Sequence, residues 1–126
     1  MMRKHYNPLL AYKQSKLCNM LFVQGLSDRY VAQGLHAYGV DPGLVNTDIG
    51  NKTTGIVDFV WKFRKRFGVH PSVSAQDYLY LCEQCEPPAG LYFHRGKSKK
   101  YNKQVTTENA TRLFKLSEQL CNIRYE

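Results

Sequence analysis

Asn7-Pro8 opens a run that closes only at Gly34, and a short apolar stretch, Leu35 to Val40, follows at once and ends on Asp41-Pro42-Gly43. An N-cap residue followed by proline at the first helical position is a strong helix start. Leu10, Leu17, Leu21 and, more loosely, Leu26 then recur with helical spacing, and Gly34 fits a helix stop. The pattern predicts one long helix over residues 8–33, weakened at Gly25 by up to ~1 kcal/mol relative to alanine. A long helix that returns directly into a short strand, here 35–40, predicts a parallel α/β sheet. Ligands of such sheets bind at the carboxyl ends of the strands. The Pro42-Gly43 turn is therefore a site candidate before any chemistry is considered.

Downstream, residues 44–52 read as loop. Residues 53–67 set Ile56, Val57, Val60, Trp61, Phe63 and Phe67 among Lys62, Arg64, Lys65 and Arg66. That is a basic amphipathic helix, which fits a membrane-surface segment, a cover over an apolar pocket or ordinary core packing. Ser74 and Asp77 have capping-box spacing near the start of a helix over roughly 72–85. Its expected inner face is Val73, Tyr78, Leu81, Cys82 and Cys85, and Pro87-Pro88 stops it. Gly90 to His94 reads as a short strand, followed by a basic loop with Arg95, Lys97, Lys99, Lys100 and Lys103. A last helix is predicted from about Thr107 to Cys121, with Ala110, Leu113, Phe114 and Leu120 on one side.

Composition narrows the functional classes. The formal net charge is +8, a balance that attracts anionic surfaces or phosphate-bearing ligands without naming one. No apolar run approaches the ~18 residues that span a bilayer, and the polar, basic start lacks the apolar core of a signal peptide. A cytoplasmic chain is the expectation. Cys82 and Cys85 form a C-x-x-C, but no second ligand pair stands at zinc spacing, so no metal site is expected. The pair falls late in a helix, where buried, reduced thiols are the simpler expectation. No nucleic-acid-binding motif is present, and no nucleic-acid partner is expected.

Tyr12 and Lys16, four residues apart on the first helix, share one face one turn apart. An ammonium beside a phenol favours the phenolate, and a phenol so placed can exchange a proton with an alcohol or carbonyl oxygen. Alone, that spacing arises by chance on many helices. Its surroundings add to it. AYKQSKLCNMLF (11–22) resembles the Tyr-x-x-Ser-Lys motif of the short-chain dehydrogenases/reductases, with wording similar to the retinol-dehydrogenase-like branch. VDPGLVNTDIG (40–50) resembles that family's Pro-Gly turn followed by a threonine. GLYFHRGKSKK (90–100) and ENATRLFKLSEQL (108–120) resemble the branch's last strand, variable loop and final helix. The resemblance runs in order, through four matches, over nearly the whole chain.

The resemblance implies the C-terminal half of a doubly wound, Rossmann-like parallel sheet, residues 1–126 forming a single partial domain whose N-terminal half is missing. It implies NAD(P)-dependent interconversion of an alcohol and a carbonyl. Tyr12 would be the general acid/base, and Lys16 would support it and hydrogen-bond the nicotinamide ribose. Ser15 belongs to the motif but is not the family's catalytic serine. Pro42, Gly43, Val45 and Thr47 would border the cofactor, NADP or NAD. Residues 44–69 would cover a small apolar alcohol or carbonyl substrate, with Ile56, Val60, Trp61 and Phe63 against it. The family's glycine-rich turn and its helix N-terminus, which take the pyrophosphate, do not occur in this sequence. Asp41 stands where the branch more often has a His or Asn-like residue. The chain alone is therefore expected to be inactive, and either to be a poorly stable monomer or to bury its unpaired sheet edge in a homo-oligomer. Peripheral membrane contact through the basic helix stays open. The alternative reading is a non-enzymatic basic module that binds anionic membrane or nucleic acid.

Overall fold

In the computed structural model, which describes residues 6–43 and 68–125, the Asn7 carboxamide accepts the N–H groups of Leu9 at 3.0 Å and Leu10 at 3.1 Å. These are two of the donors that a helix N-terminus leaves without partners. Helix α1 (Pro8–Tyr30) follows. The expected helix to residue 33 is kept in outline, but its last turn tightens into a 3-10 turn, Val31–Gln33. Gly34 stops it in the left-handed region at φ 82°, where an L side chain would be strained.

The strand after it is shorter than the apolar stretch suggested. Only Gly39–Val40 (β1) pairs. Its neighbour β2 (Tyr92–His94) offers three residues, so the ladder has nothing to extend along toward Leu35. The predicted strand 90–94 is likewise trimmed to 92–94. The expected basic loop instead turns back at once into β3 (Lys97–Ser98), which pairs antiparallel with β2 in the register Phe93↔Ser98 and His94↔Lys97. Arg95 and Gly96, at φ 51° and 69°, form the two-residue link. Two successive positive φ values give a turn whose twist matches that of a hairpin. The result is a small, partly parallel sheet of order β1-β2-β3.

Two further helices complete the described residues, α2 (Pro71–Glu83) and α3 (Thr107–Cys121). Ser74 and Asp77 do not cap α2. His70 is its N-cap, accepting from the Ser72 N–H, and Pro71 follows at the first position. Ser74 and Asp77 lie inside the helix and are its buried residues, whereas Val73, Tyr78, Cys82 and Cys85 are exposed and Leu81 is half-buried. All four cysteines are free and exposed, not buried. On α3, Ala110 and Phe114 are buried as expected, but Leu120 is 76% exposed. It sits in the last turn, past the reach of the packing face.

The chain divides into two compact units, Met1–Gly39 with Lys100–Glu126, and Val40–Lys99. In the first, α1 and α3 pack together around Leu21, Val105 and Ala110, flanked by Leu17, Met20 and Leu113. Phe114 is the largest fully buried side chain among the described residues. It stacks on Phe22 with ring centroids 5.3 Å apart, and the Arg29 guanidinium lies 4.1 Å from its centroid. Gly25 faces the Phe114 ring so closely that any Cβ there would collide with it. This glycine is not merely a weak point in a helix. It is the notch that admits the ring.

In the second unit, the buried Phe93 provides the apolar centre of the sheet, while α2 contributes hydroxyl and carboxylate groups. Ser74 Oγ donates to the Pro42 carbonyl at 2.8 Å, and the Asp77 carboxylate accepts the N–H groups of Arg95 and Gly96, both at 2.9 Å.

Candidate active site

Tyr12 and Lys16 are set by the rotation of α1. Leu21 and Gly25 are its buried residues. At about 100° per residue, Tyr12 and Lys16 fall about 180–220° round the axis from Gly25. They therefore occupy the opposite, open face, with Tyr12 55% exposed. The Lys16 ammonium sits over the Tyr12 ring, 5.5 Å from its centroid, within the range of a cation–π contact. Ser15 donates its hydroxyl to the Tyr12 carbonyl at 2.8 Å. It is engaged with its own helix.

In the other unit, the Asp41-Pro42-Gly43 turn leaves the end of β1. Gly43 is in the left-handed region at φ 67°. Its N–H is bound by the Asp41 carboxylate at 2.9 Å, a local bond that shapes the turn. The same carboxylate accepts from the Lys99 ammonium at 2.7 Å. The His94 ring donates its Nδ1–H to the Asp41 carbonyl at 2.8 Å, and its Cε1 would lie 3.1 Å from a Cβ at position 43. Burial works to raise the Asp41 carboxyl, but the Lys99 ammonium, the Gly43 N–H and the nearby His94 together outweigh it and hold the group below its ordinary value. Lys99 is raised in turn, mainly by its bond to Asp41. The Tyr92 phenol is pushed up by burial and by the Asp41 charge.

Of the expected site residues, Tyr12 and Lys16 are brought together on α1, and Pro42 and Gly43 on the turn. Val45, Thr47, Ile56, Val60, Trp61 and Phe63 lie outside the described residues. Sequence reasoning missed Ser74 and Lys99 as supports of that turn, and Asp77 as the support of the hairpin turn that delivers Lys99. The signal available was a pair of small polar residues at i, i+3 inside an otherwise apolar-rich helix. It reads equally well as a cap.

The amino-acid sequence has curated relatives along almost its full length. Retinol dehydrogenase 12 of Mus musculus is 34% identical over 131 residues, covering 98% of this chain and 40% of the relative. Retinol dehydrogenase 12 of Homo sapiens is 31% identical over 126 residues, with the same coverage. The chain belongs to the short-chain dehydrogenase/reductase family.

The WW domain-containing oxidoreductase of Drosophila melanogaster is also similar, 26% identical over 127 residues, which span 91% of this chain and 29% of the relative. No protein-family model matches, and no solved structure matches significantly. As a short-chain dehydrogenase/reductase chain it spans about 40% of the length of the relatives it matches first. An exposed phenol with an ammonium one turn away supplies the donors that a carbonyl oxygen and a ribose diol would need. The glycine-rich turn that would receive a pyrophosphate is not contained in these 126 residues.

Proposed function

We propose that this chain carries the acid–base half of an NAD(P)-dependent oxidoreductase that interconverts an alcohol and a carbonyl. One observation carries the reading: Tyr12 and Lys16 stand together on the open face of α1, opposite its buried residues, in a chain whose relatives are named retinol dehydrogenases and oxidoreductases. The nicotinamide, when bound, exchanges the hydride. The chain's own residues manage the proton and the fit. In the reducing direction the Tyr12 hydroxyl donates its proton to the carbonyl oxygen, and in the oxidising direction its oxygen takes the proton from the alcohol. Lys16, whose terminal nitrogen sits over the Tyr12 ring, offers N–H donors to the ribose. Pro42, Gly43, Val45 and Thr47 border the cofactor. Ile56, Val60, Trp61 and Phe63 supply an apolar cover, which fits a retinoid-like or other small apolar substrate.

The test is a chimaera in which this chain is joined to the glycine-rich portion of mouse retinol dehydrogenase 12. Tyr12→Phe should reduce turnover by roughly 10²–10⁴-fold, the scale of a lost acid–base group, with cofactor affinity preserved. Lys16→Ala should damage both. Near-normal turnover in Tyr12→Phe removes Tyr12 from the mechanism. The 126-residue chain by itself should bind NAD(H) and NADP(H) weakly or not at all, and micromolar binding in a calorimeter would refute that.

A further inference from the structure

The Pro42-Gly43 turn is held from three directions within its own unit. From above it in sequence, Asp41 grips the Gly43 N–H. From the hairpin, Lys99 of the residue following β3 reaches the other oxygen of the same carboxylate at 2.7 Å, and His94 of β2 binds the Asp41 carbonyl. From α2, Ser74 binds the Pro42 carbonyl. The hairpin that delivers Lys99 and His94 is itself tied to α2, through the two turn N–H groups on Asp77. The chain of contacts is closed: α2 holds the hairpin, the hairpin holds Asp41, and Asp41 holds Gly43.

We infer that the Asp41–Lys99 ion pair is a positioning device for the cofactor-bordering turn, with Lys99 acting through Asp41 on the backbone of Gly43. The pair does not touch the reacting atoms. Without the Lys99 ammonium, the Asp41 carboxylate loses its shortest charged partner and keeps the Tyr92 phenol and the His94 ring, 3.9 Å away, beside its second oxygen, a looser hold on its rotamer. The Gly43 N–H bond then opens more often. Gly43 is free to leave φ 67° at little steric expense, since glycine populates both signs of φ, so this bond is what selects one conformation. Ser74 holds the carbonyl at the other end of the same planar Pro42–Gly43 peptide, so losing the Asp41 bond loosens that peptide at its N–H end while its carbonyl stays tethered. The inference rests on the reading that this turn borders the cofactor.

The experiment uses the same chimaera with Lys99→Met and Lys99→Arg, both at an exposed side chain, with circular dichroism to confirm folding. Two quantities are measured: hydrogen exchange at the Gly43 amide, and cofactor affinity against kcat. Lys99→Met should speed Gly43 exchange and weaken cofactor affinity about three- to fivefold, the scale of one partly exposed ion pair, while kcat changes less than twofold. Lys99→Arg should restore both. Unchanged exchange at Gly43 in Lys99→Met overturns the clamp. Faster exchange with unchanged affinity overturns its role toward the cofactor. If the unaltered chimaera binds no dinucleotide, the functional reading fails, and the clamp is then decided by Gly43 exchange alone.

Discussion

The two units of this chain are built on different physics. In the first, α1 and α3 meet through apolar surface: Leu21, Val105, Ala110 and a phenylalanine ring seated in a glycine notch. In the second, one buried phenylalanine provides the apolar centre of a three-stranded sheet, and α2 meets it through a serine hydroxyl and an aspartate carboxylate. Apolar burial is strong but non-directional. Hydrogen bonds are weaker in net terms but fix atoms to within tenths of an ångström. The unit that must hold a helix steady uses the first. The unit that must hold two tight turns uses the second. Among the described residues no buried polar side-chain atom lacks a partner, which is what the second strategy requires.

The comparison is sharpest where the largest effect is expected. Phe114→Ala should destabilise the α1/α3 unit by about 3–5 kcal/mol, as for other large-to-small aromatic changes in cores. Amide exchange read separately along α3 and along the hairpin would show it. A loss spread equally over both units would break the distinction. Next in size, Asp77→Ala strands two turn N–H groups and should destabilise the hairpin by about 1–3 kcal/mol. Asp77→Asn, which keeps one acceptor oxygen, should fall between. If the hairpin amides exchange no faster in Asp77→Ala, water has replaced the carboxylate and the polar brace is not structural. Gly25→Ala should cost about 1–3 kcal/mol through overpacking against Phe114, despite alanine's better helix propensity. A stabilised Gly25→Ala protein would mean the ring has an alternative seat.

The smallest effect is in pH. The Asp41 carboxyl is depressed in the folded chain, so its contribution to stability is present above the ordinary carboxylate value and is lost as pH falls through the depressed one. Lys99 is raised, so its share is full below the ordinary lysine value and fades only as pH rises through the raised one. The Val40–Lys99 unit should therefore loosen on the acid side, and Lys99→Met should flatten that slope. A slope of the same size in Lys99→Met assigns it to other carboxylates.

How much of this was readable in advance follows from which forces are periodic. The span of α1, its cap at Asn7-Pro8 and its stop at Gly34 were legible because helix ends carry local signals. So were the Tyr12–Lys16 register and the boundaries of α3. The hairpin at Arg95-Gly96 was not, because a positive φ at arginine leaves no mark in composition, and a run of lysines and arginines reads as a solvated loop. Ser74 and Asp77 misled for a related reason. Their i, i+3 spacing is the same whether they cap a helix or project from its interior toward turns that are far away in sequence. The cysteines failed differently: thiols are buried on average, but Cys82 lies on the outer side of α2, whose inner side is taken by polar groups.

The Phe114 ring in the Gly25 notch works as a key in a slot. A helix packed only by interchangeable leucines can rotate a little about its axis or slide by a fraction of a turn, and each such slip carries every other side chain with it. A single ring that fits at only one residue forbids both movements. Gly25 stands thirteen residues beyond Tyr12, about 20 Å along the shaft at 1.5 Å per residue. The heading of the phenol is therefore indexed from the far end of α1, by a contact with no chemistry of its own.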